Sequence, residues 1–182
     1  MKLRLKAHLP DVKSLPRLGI EDEMANQDLS FLQQDCALTL RNGLNELYEK
    51  QPEVGASAER VGQLFVDHDA THVLFGCNTT FQDEALLDAW TLGGTDITWK
   101  DAMAYSRMPE VKEIIEQLAK DEGGKLRLYL KYMWSVLPKV LSVRFGRVRR
   151  MKKRWPYHGI TEEMWNRPIR DLREEYGIQV AR

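Results

Sequence analysis

The sequence predicts an all-α fold, an irregular helical bundle forming one domain over residues 1–182. Three observations carry this expectation. Apolar residues recur at threes and fours along most of the chain, few segments alternate with period two, and Gly, Pro and Ser/Thr fall where helices would start or stop. Hydrophobic residues are 43% and charged residues 30% of the chain, an ordinary balance for a length that can bury a core.

Taken in order, residues 1–27 form an irregular N-terminal arm with Pro10, Pro16 and Gly19. Its start is basic but has no apolar run of signal-peptide length, and the acidic residues from Asp11 onward argue against a transit peptide. From Asp28 the spacing of Leu29, Leu32, Cys36, Leu40, Leu44 and Leu47 predicts a helix. Gly55 and Ser57 mark a break, with Ser57 the expected cap of a helix that runs through His68 and His72 and stops at Gly76. Residues 77–80 read as a turn in which Thr79 or Thr80 caps the next helix, which carries Phe81 and Glu84 and stops at Gly93-Gly94. Helices are expected at about 99–108 and at 109–121, the second opened by Pro109. Residues 125–150 predict a long helix kinked or split at Pro138. After a loop at 155–159, Thr161 starts a last helix that ends at Tyr176-Gly177.

Formal net charge is zero, which argues against a general polyanion binder, and no nucleic-acid recognition motif is present. Cys36 and Cys77 are the only cysteines, too few for a disulfide framework or a Cys-x-x-Cys clip, so a reducing, cytoplasmic setting is the simpler expectation. The most apolar stretch, 126–145, is interrupted by Arg127, Lys131, Lys139, Arg144 and Pro138, so it does not predict a spanning helix. Most of it reads as a buried core helix. Being apolar on more than one face, it also suits a lipid cleft, for which Tyr129, Met133, Trp134 and Leu137 are the candidates. Seven Lys or Arg follow within 144–154. Beside Trp155 and Tyr157, the cations Arg147, Arg149, Arg150 and Lys153 suit an anionic membrane surface or a prenyl phosphate; the plain alternative is a solvated helix end.

The residues with most chemical content are His68 and His72, four apart and so one turn apart on one helix face. Asp69 flanks them. If the chain turns back after Gly76, Glu84 falls in the first turn of the next helix and can face the imidazole pair. Two nitrogens and two carboxylates suit zinc, and also iron or manganese, while magnesium prefers more oxygen. The same spacing also arises by chance on solvated helices. Asp67 and Asp83 read as solvated charges, or else as groups orienting a ligand imidazole. His158 reads as a surface residue rather than a fifth ligand. A helical metal phosphohydrolase is a weaker alternative, since further His and Asp ligands are missing.

The run His68-Asp69-Ala70-Thr71-His72, eleven residues and then Glu84 resembles the signature of the Coq-four family of coenzyme Q (ubiquinone) biosynthesis proteins. Gly76 and Thr79 stand where that family places Gly and Thr. The closing run Trp165, Pro168-Ile169, Leu172-Arg173 and Gly177-Ile178 is similar to its terminal helix, so the likeness covers roughly residues 57–182. Asn78 and Asp83 replace the family's usual Pro and Gly. The resemblance implies a mostly helical fold, a divalent metal held by His68, Asp69, His72 and Glu84, and a cleft for a polyprenyl chain. It further implies a lyase-type action at ring C1 of a prenylated quinone precursor, where a carboxylate is lost and a hydroxyl gained. The second role it implies is non-catalytic: a prenyl-lipid-binding scaffold for other biosynthetic enzymes, peripheral on the inner face of a membrane. The sequence assigns no catalytic residue beyond the metal set, and it leaves a homodimer open.

Overall fold

The computed structural model describes residues 28–107, 112, 116, 119, 120 and 123–181. The N-terminal arm and most of the helix expected at 109–121 lie outside them. Among the described residues the fold is all-α, as the periodicity predicts, and the pairing between extended residues is limited to isolated bridges such as Thr39 with Pro168.

The first segment departs from the expected helix. A 3-10 turn at Ser30–Leu32 is followed by irregular chain, and α1 begins only at Leu40 and runs Leu40–Lys50. Thr39 caps it by accepting the Asn42 N–H. Leu29, Phe31, Leu32 and Cys36 are buried all the same. Their spacing reflects contact with the core, not helical conformation. Pro52 then opens α2, Pro52–Val61, so Gly55 and Ser57 lie inside a helix. The Ser57 hydroxyl donates to the Glu53 carbonyl one turn back and does not cap. The break falls instead at Gly62, whose φ of 91° ends α2 and starts α3, Gln63–Phe75.

Gly76 ends α3 in the left-handed conformation, as expected. A Cβ there would also stand 2.7 Å from Val180 Cγ1. The turn leads into α4, Phe81–Gly94, capped by Thr80, which accepts the Asp83 N–H. The Gly93-Gly94 pair forms the last residues of α4. Next comes α5, Trp99–Ser106.

Residues 125–150 form the expected long helical run, divided by wide turns. The run comprises α6 at Lys125–Lys131, a π turn at Tyr132–Val136, α7 at Leu137–Ser142, a second π turn at Val143–Arg147 and a 3-10 turn at Val148–Arg150. Pro138 sits in the first turn of α7. Proline has no N–H and crowds the preceding turn, and the π turn placed just ahead of it widens the ladder at that point. The chain closes with α8, Glu162–Trp165, and α9, Ile169–Tyr176; Pro168 splits what the sequence suggests is one helix.

The core lies where α1, α3 and α9 meet. A Cβ on Gly43 would stand 2.6 Å from Val73 Cγ1 and 2.8 Å from Ile169 Cδ1, so α1 approaches α3 and α9 more closely than any larger residue allows. Phe75 of α3 stacks on Trp90 of α4, with ring centroids 4.9 Å apart.

At the centre is Arg173 of α9, fully buried. Its Nε donates to the Leu74 carbonyl at 2.8 Å, and Nη2 donates to the carbonyls of Val73, at 3.0 Å, and Phe31. Nη1 donates to those of Gln33 and Gln34. Two of these carbonyls belong to the last turn of α3, where a cation also offsets the helix dipole. Burial pulls the guanidinium down from 12.5 to about 10, and it stays charged at neutral pH.

Arg173→Met should cost about 3–5 kcal/mol, since it takes the donor from the buried carbonyl groups of Phe31, Val73 and Leu74. Arg173→Lys, with fewer donors, should lie between Met and wild type. Denaturant titration reads both, and a wild-type midpoint in Arg173→Met would remove the residue from this role.

Candidate metal centre

His68, Asp69 and His72 stand on α3, and Glu84 is in the first turn of α4. The turn after Gly76 folds α4 back against α3, and Glu84 reaches the imidazole pair. His72 Nε2 is 3.2 Å from Glu84 Oε1, and His68 Nε2 is 3.9 Å from Glu84 Oε2. One carboxylate thus faces the Nε2 atoms of both rings, whose centroids are 4.8 Å apart. His68, Asp69 and His72 can each offer an atom within 4.8 Å of the others. The burial is graded. His72 is sealed in, His68 nearly so, and the Glu84 side chain is 40% exposed, so the site opens to solvent on the Glu84 side.

Asp69 is buried, and its two oxygens have separate partners. Oδ2 accepts the Tyr48 hydroxyl at 2.9 Å, and Oδ1 is 3.3 Å from His68 Nδ1. Burial, and after it the Asp69 charge, push the Tyr48 phenol well above its usual range, so it remains a donor. Tyr48 comes from α1, and no local spacing in the sequence points to it.

Asp88 is a second addition. It lies four residues after Glu84, the one-turn spacing that could have found it. Asp88 is exposed, yet desolvation by the protein around it, then the Glu84 charge, raise its carboxyl from 3.8 to about 6. Tyr132, from the π turn of the long helix, lies within the field of Asp88.

Both flanking acids are hydrogen-bonded within the fold, and Asp67, contrary to the solvated reading, is buried while Asp83 is half-buried. Asp67 is buried and accepts Gln63 Nε2 at 2.7 Å, while its other oxygen is 3.1 Å from His158 Nδ1. It therefore orients the half-exposed His158 of the 155–159 loop. Asp83 accepts the Asn78 N–H at 2.9 Å and fixes the turn.

The remaining candidates are more scattered. Tyr129, Met133 and Trp134 are exposed and Leu137 is half-buried; with Leu126, Leu130, Leu141 and Phe145 also exposed, most of the apolar zone is surface and not the core helix expected. Only Val136 and Val143 of that zone are fully buried. Helix α4 packs along this run, which places the zone beside the helix that carries Glu84. Arg149 lies over the Phe145 ring at 5.5 Å, Arg150 is exposed, and Arg147 donates to Ser142 Oγ. Lys153 is held by Glu175 and by the Tyr176 ring. Cys36 and Cys77 are both buried and are not joined in a disulfide.

The donor set suits a divalent cation. Three carboxylates surround two imidazoles, an excess of negative charge, and the buried Nδ1 of His72 has no well-formed hydrogen bond. Without a cation, a proton takes its place. Burial alone would lower the His72 imidazole, but Glu84 outweighs it, with help from Asp69 and the Cys77 backbone, and the ring rises from 6.5 to about 9. Burial would raise the Glu84 carboxyl, but His72 and then His68 bring it below 4.5.

Comparison with known proteins assigns no family. No family model matches the chain, and no solved structure does. A stretch of 78 residues is 37% identical to the human ribosome biogenesis protein BMS1 homolog, covering 43% of this chain and 6% of that protein. The chain thus spans only a small part of that relative's length.

The ionisation pattern predicts a pH window for the chelator-treated protein. A raised His72 adds stability that is full below about 6.5 and is lost as pH rises through about 9. A lowered Glu84 adds stability that is present above about 4.5 and is lost as pH falls. Melting temperature should therefore fall from pH 6.5 to 9.5, and Glu84→Gln should flatten that limb. An equally steep limb in Glu84→Gln would show that another group is titrating.

Proposed function

We propose that the chain binds one divalent metal within the cluster formed by His68, Asp69, His72 and Glu84, and uses it on a prenylated aromatic acid in quinone-type biosynthesis. The observation that carries this reading is the convergence of two imidazole Nε2 atoms on one carboxylate, at a mouth open to solvent. The resemblance of His68 to Glu84, and of the closing helix, to the Coq-four family supports the substrate class. Zinc suits the nitrogen and oxygen donors best; iron or manganese suits them next, and magnesium least.

When bound, such an ion supplies a Lewis acid that holds and polarises a carboxylate-bearing phenol. The protein does the rest. Glu84 at the exposed edge leaves approach from solvent open. The exposed side chains of Tyr129, Met133 and Trp134 offer apolar surface to a prenyl tail, and Leu137 extends it inward. Arg149 and Arg150 add positive charge near that surface, which suits anionic headgroups. No helix among the described residues is long and apolar enough to cross a membrane, so the proposed location is peripheral, on the cytoplasmic face.

The same exposed apolar run favours a second reading, a non-catalytic lipid-binding scaffold. Metal removal separates the two. In a catalytic site, chelation should end turnover while the melting temperature falls only a few degrees, because Arg173 and the core hold α3 in place. A structural ion should take most of the fold with it.

Purified protein should contain about one divalent ion per chain, and His68→Ala or Glu84→Ala should lose it. Full metal content in both variants, by elemental analysis, would sink the reading. Trp134 emission should shift to the blue on adding vesicles that contain a prenylated phenol and anionic lipid. Trp134→Ala should bind them several-fold more weakly, and unchanged binding would remove this surface from the account.

A further inference from the structure

Within the metal-site reading just proposed, the roles of the four side chains can be divided. Adjacent residues on a helix point about 100° apart. Asp69 therefore stands about 100° from His68 and about 60° from His72 around the helix axis, at the edge of the stripe that aligns the two rings. It turns toward α1, where Tyr48 donates to Oδ2 at 2.9 Å. Its remaining oxygen, Oδ1, lies 3.3 Å from His68 Nδ1. The Nε2 atoms of both rings lie toward Glu84, at 3.9 Å and 3.2 Å, and Asp69 also keeps an oxygen within 4.8 Å of a nitrogen of each ring. Both oxygens of Asp69 are thus engaged on the buried side, while both Nε2 atoms and the Glu84 carboxylate meet on the open side.

A ring that binds a metal through one nitrogen keeps its proton on the other, and the acceptor of that proton sets tautomer and orientation. We propose that Asp69 is a positioning residue, not a metal ligand: it accepts the His68 Nδ1 proton, and Tyr48 locks it in place. The protein ligands are then His68 Nε2, His72 Nε2 and Glu84. Three protein ligands leave positions free for water or substrate, the arrangement of a catalytic ion. Glu84, with its exposed edge, faces those positions. Tyr48 extends the site to α1 and joins metal affinity to the packing of α1 on α3.

Cobalt(II) is the probe for visible absorption, and zinc with nitrogen-15-labelled histidine is the probe for magnetic resonance, both on the full chain. In the wild type, His68 should keep its proton on Nδ1 and show the zinc shift on Nε2. Tyr48→Phe and Asp69→Asn should each still take up cobalt with the wild-type spectrum, while affinity falls about 10- to 100-fold. A changed cobalt spectrum in Asp69→Asn would mean that a ligand has been lost, and would overturn the division of roles. Zinc on Nδ1 of His68 would overturn it equally. If Asp69→Asn fails to fold, Tyr48→Phe decides, since it removes one hydroxyl and nothing else. Wild-type affinity there would end the positioning claim. A wild type that takes up neither ion would instead overturn the metal reading itself, and the division of roles with it.

Discussion

Arg173 is the constraint on which the rest of the molecule depends. A fully buried guanidinium is costly, and no carboxylate among the described residues pairs with it. Its compensation is the set of carbonyl groups from Phe31, Gln33, Gln34, Val73 and Leu74. These come from the first described turn and from the end of α3, and the cation itself comes from α9. Three stretches distant in sequence are therefore held at one point. None can move without exposing a charge or an unpaired carbonyl to the core. The αL residue Gly76 follows directly, with no room for a side chain against Val180. The direction in which the chain leaves α3, and hence the position of α4, follows from this join.

The site inherits that rigidity. His68 and His72 lie on a helix whose end is clamped, and Glu84 is one turn into the helix that the clamp directs back. The buried end of the site is closed by Tyr48 and Asp69, and the open end carries Glu84 and Asp88. Charge is unbalanced without a cation, and the raised His72 imidazole is the local answer to that imbalance. Metal uptake at this place must displace a proton, so affinity and pH are linked by the same pair of residues.

Much of the site was legible because helical spacing is a local rule. His68 and His72 four apart, a left-handed glycine at Gly76 and a Thr80 cap lead to Glu84 without long-range information. The same rule misled at Ser57 and Gly55, where Pro52 opens the helix earlier and the Ser57 hydroxyl turns back to Glu53. It misled at Leu29 to Cys36 because burial can produce the same spacing in irregular chain. Tyr48 and Arg173 were beyond reach for a different reason. Their roles are contacts with groups 21 and about 100 or more residues away, and no pattern within one helix encodes such partners. The apolar run from Leu126 to Phe145 shows the opposite limit. Composition marks it as hydrophobic, but only the fold shows that Trp134 and its neighbours face outward beside α4.

An exposed apolar helix alongside an open cluster of imidazoles and carboxylates gives the account its functional direction, and the location of the ion tests it most directly. Anomalous diffraction from crystals of the full chain grown with zinc, measured across the zinc edge, should show a strong peak between His68 Nε2, His72 Nε2 and Glu84. A peak bound elsewhere, or none at these side chains when zinc is in excess, would contradict it.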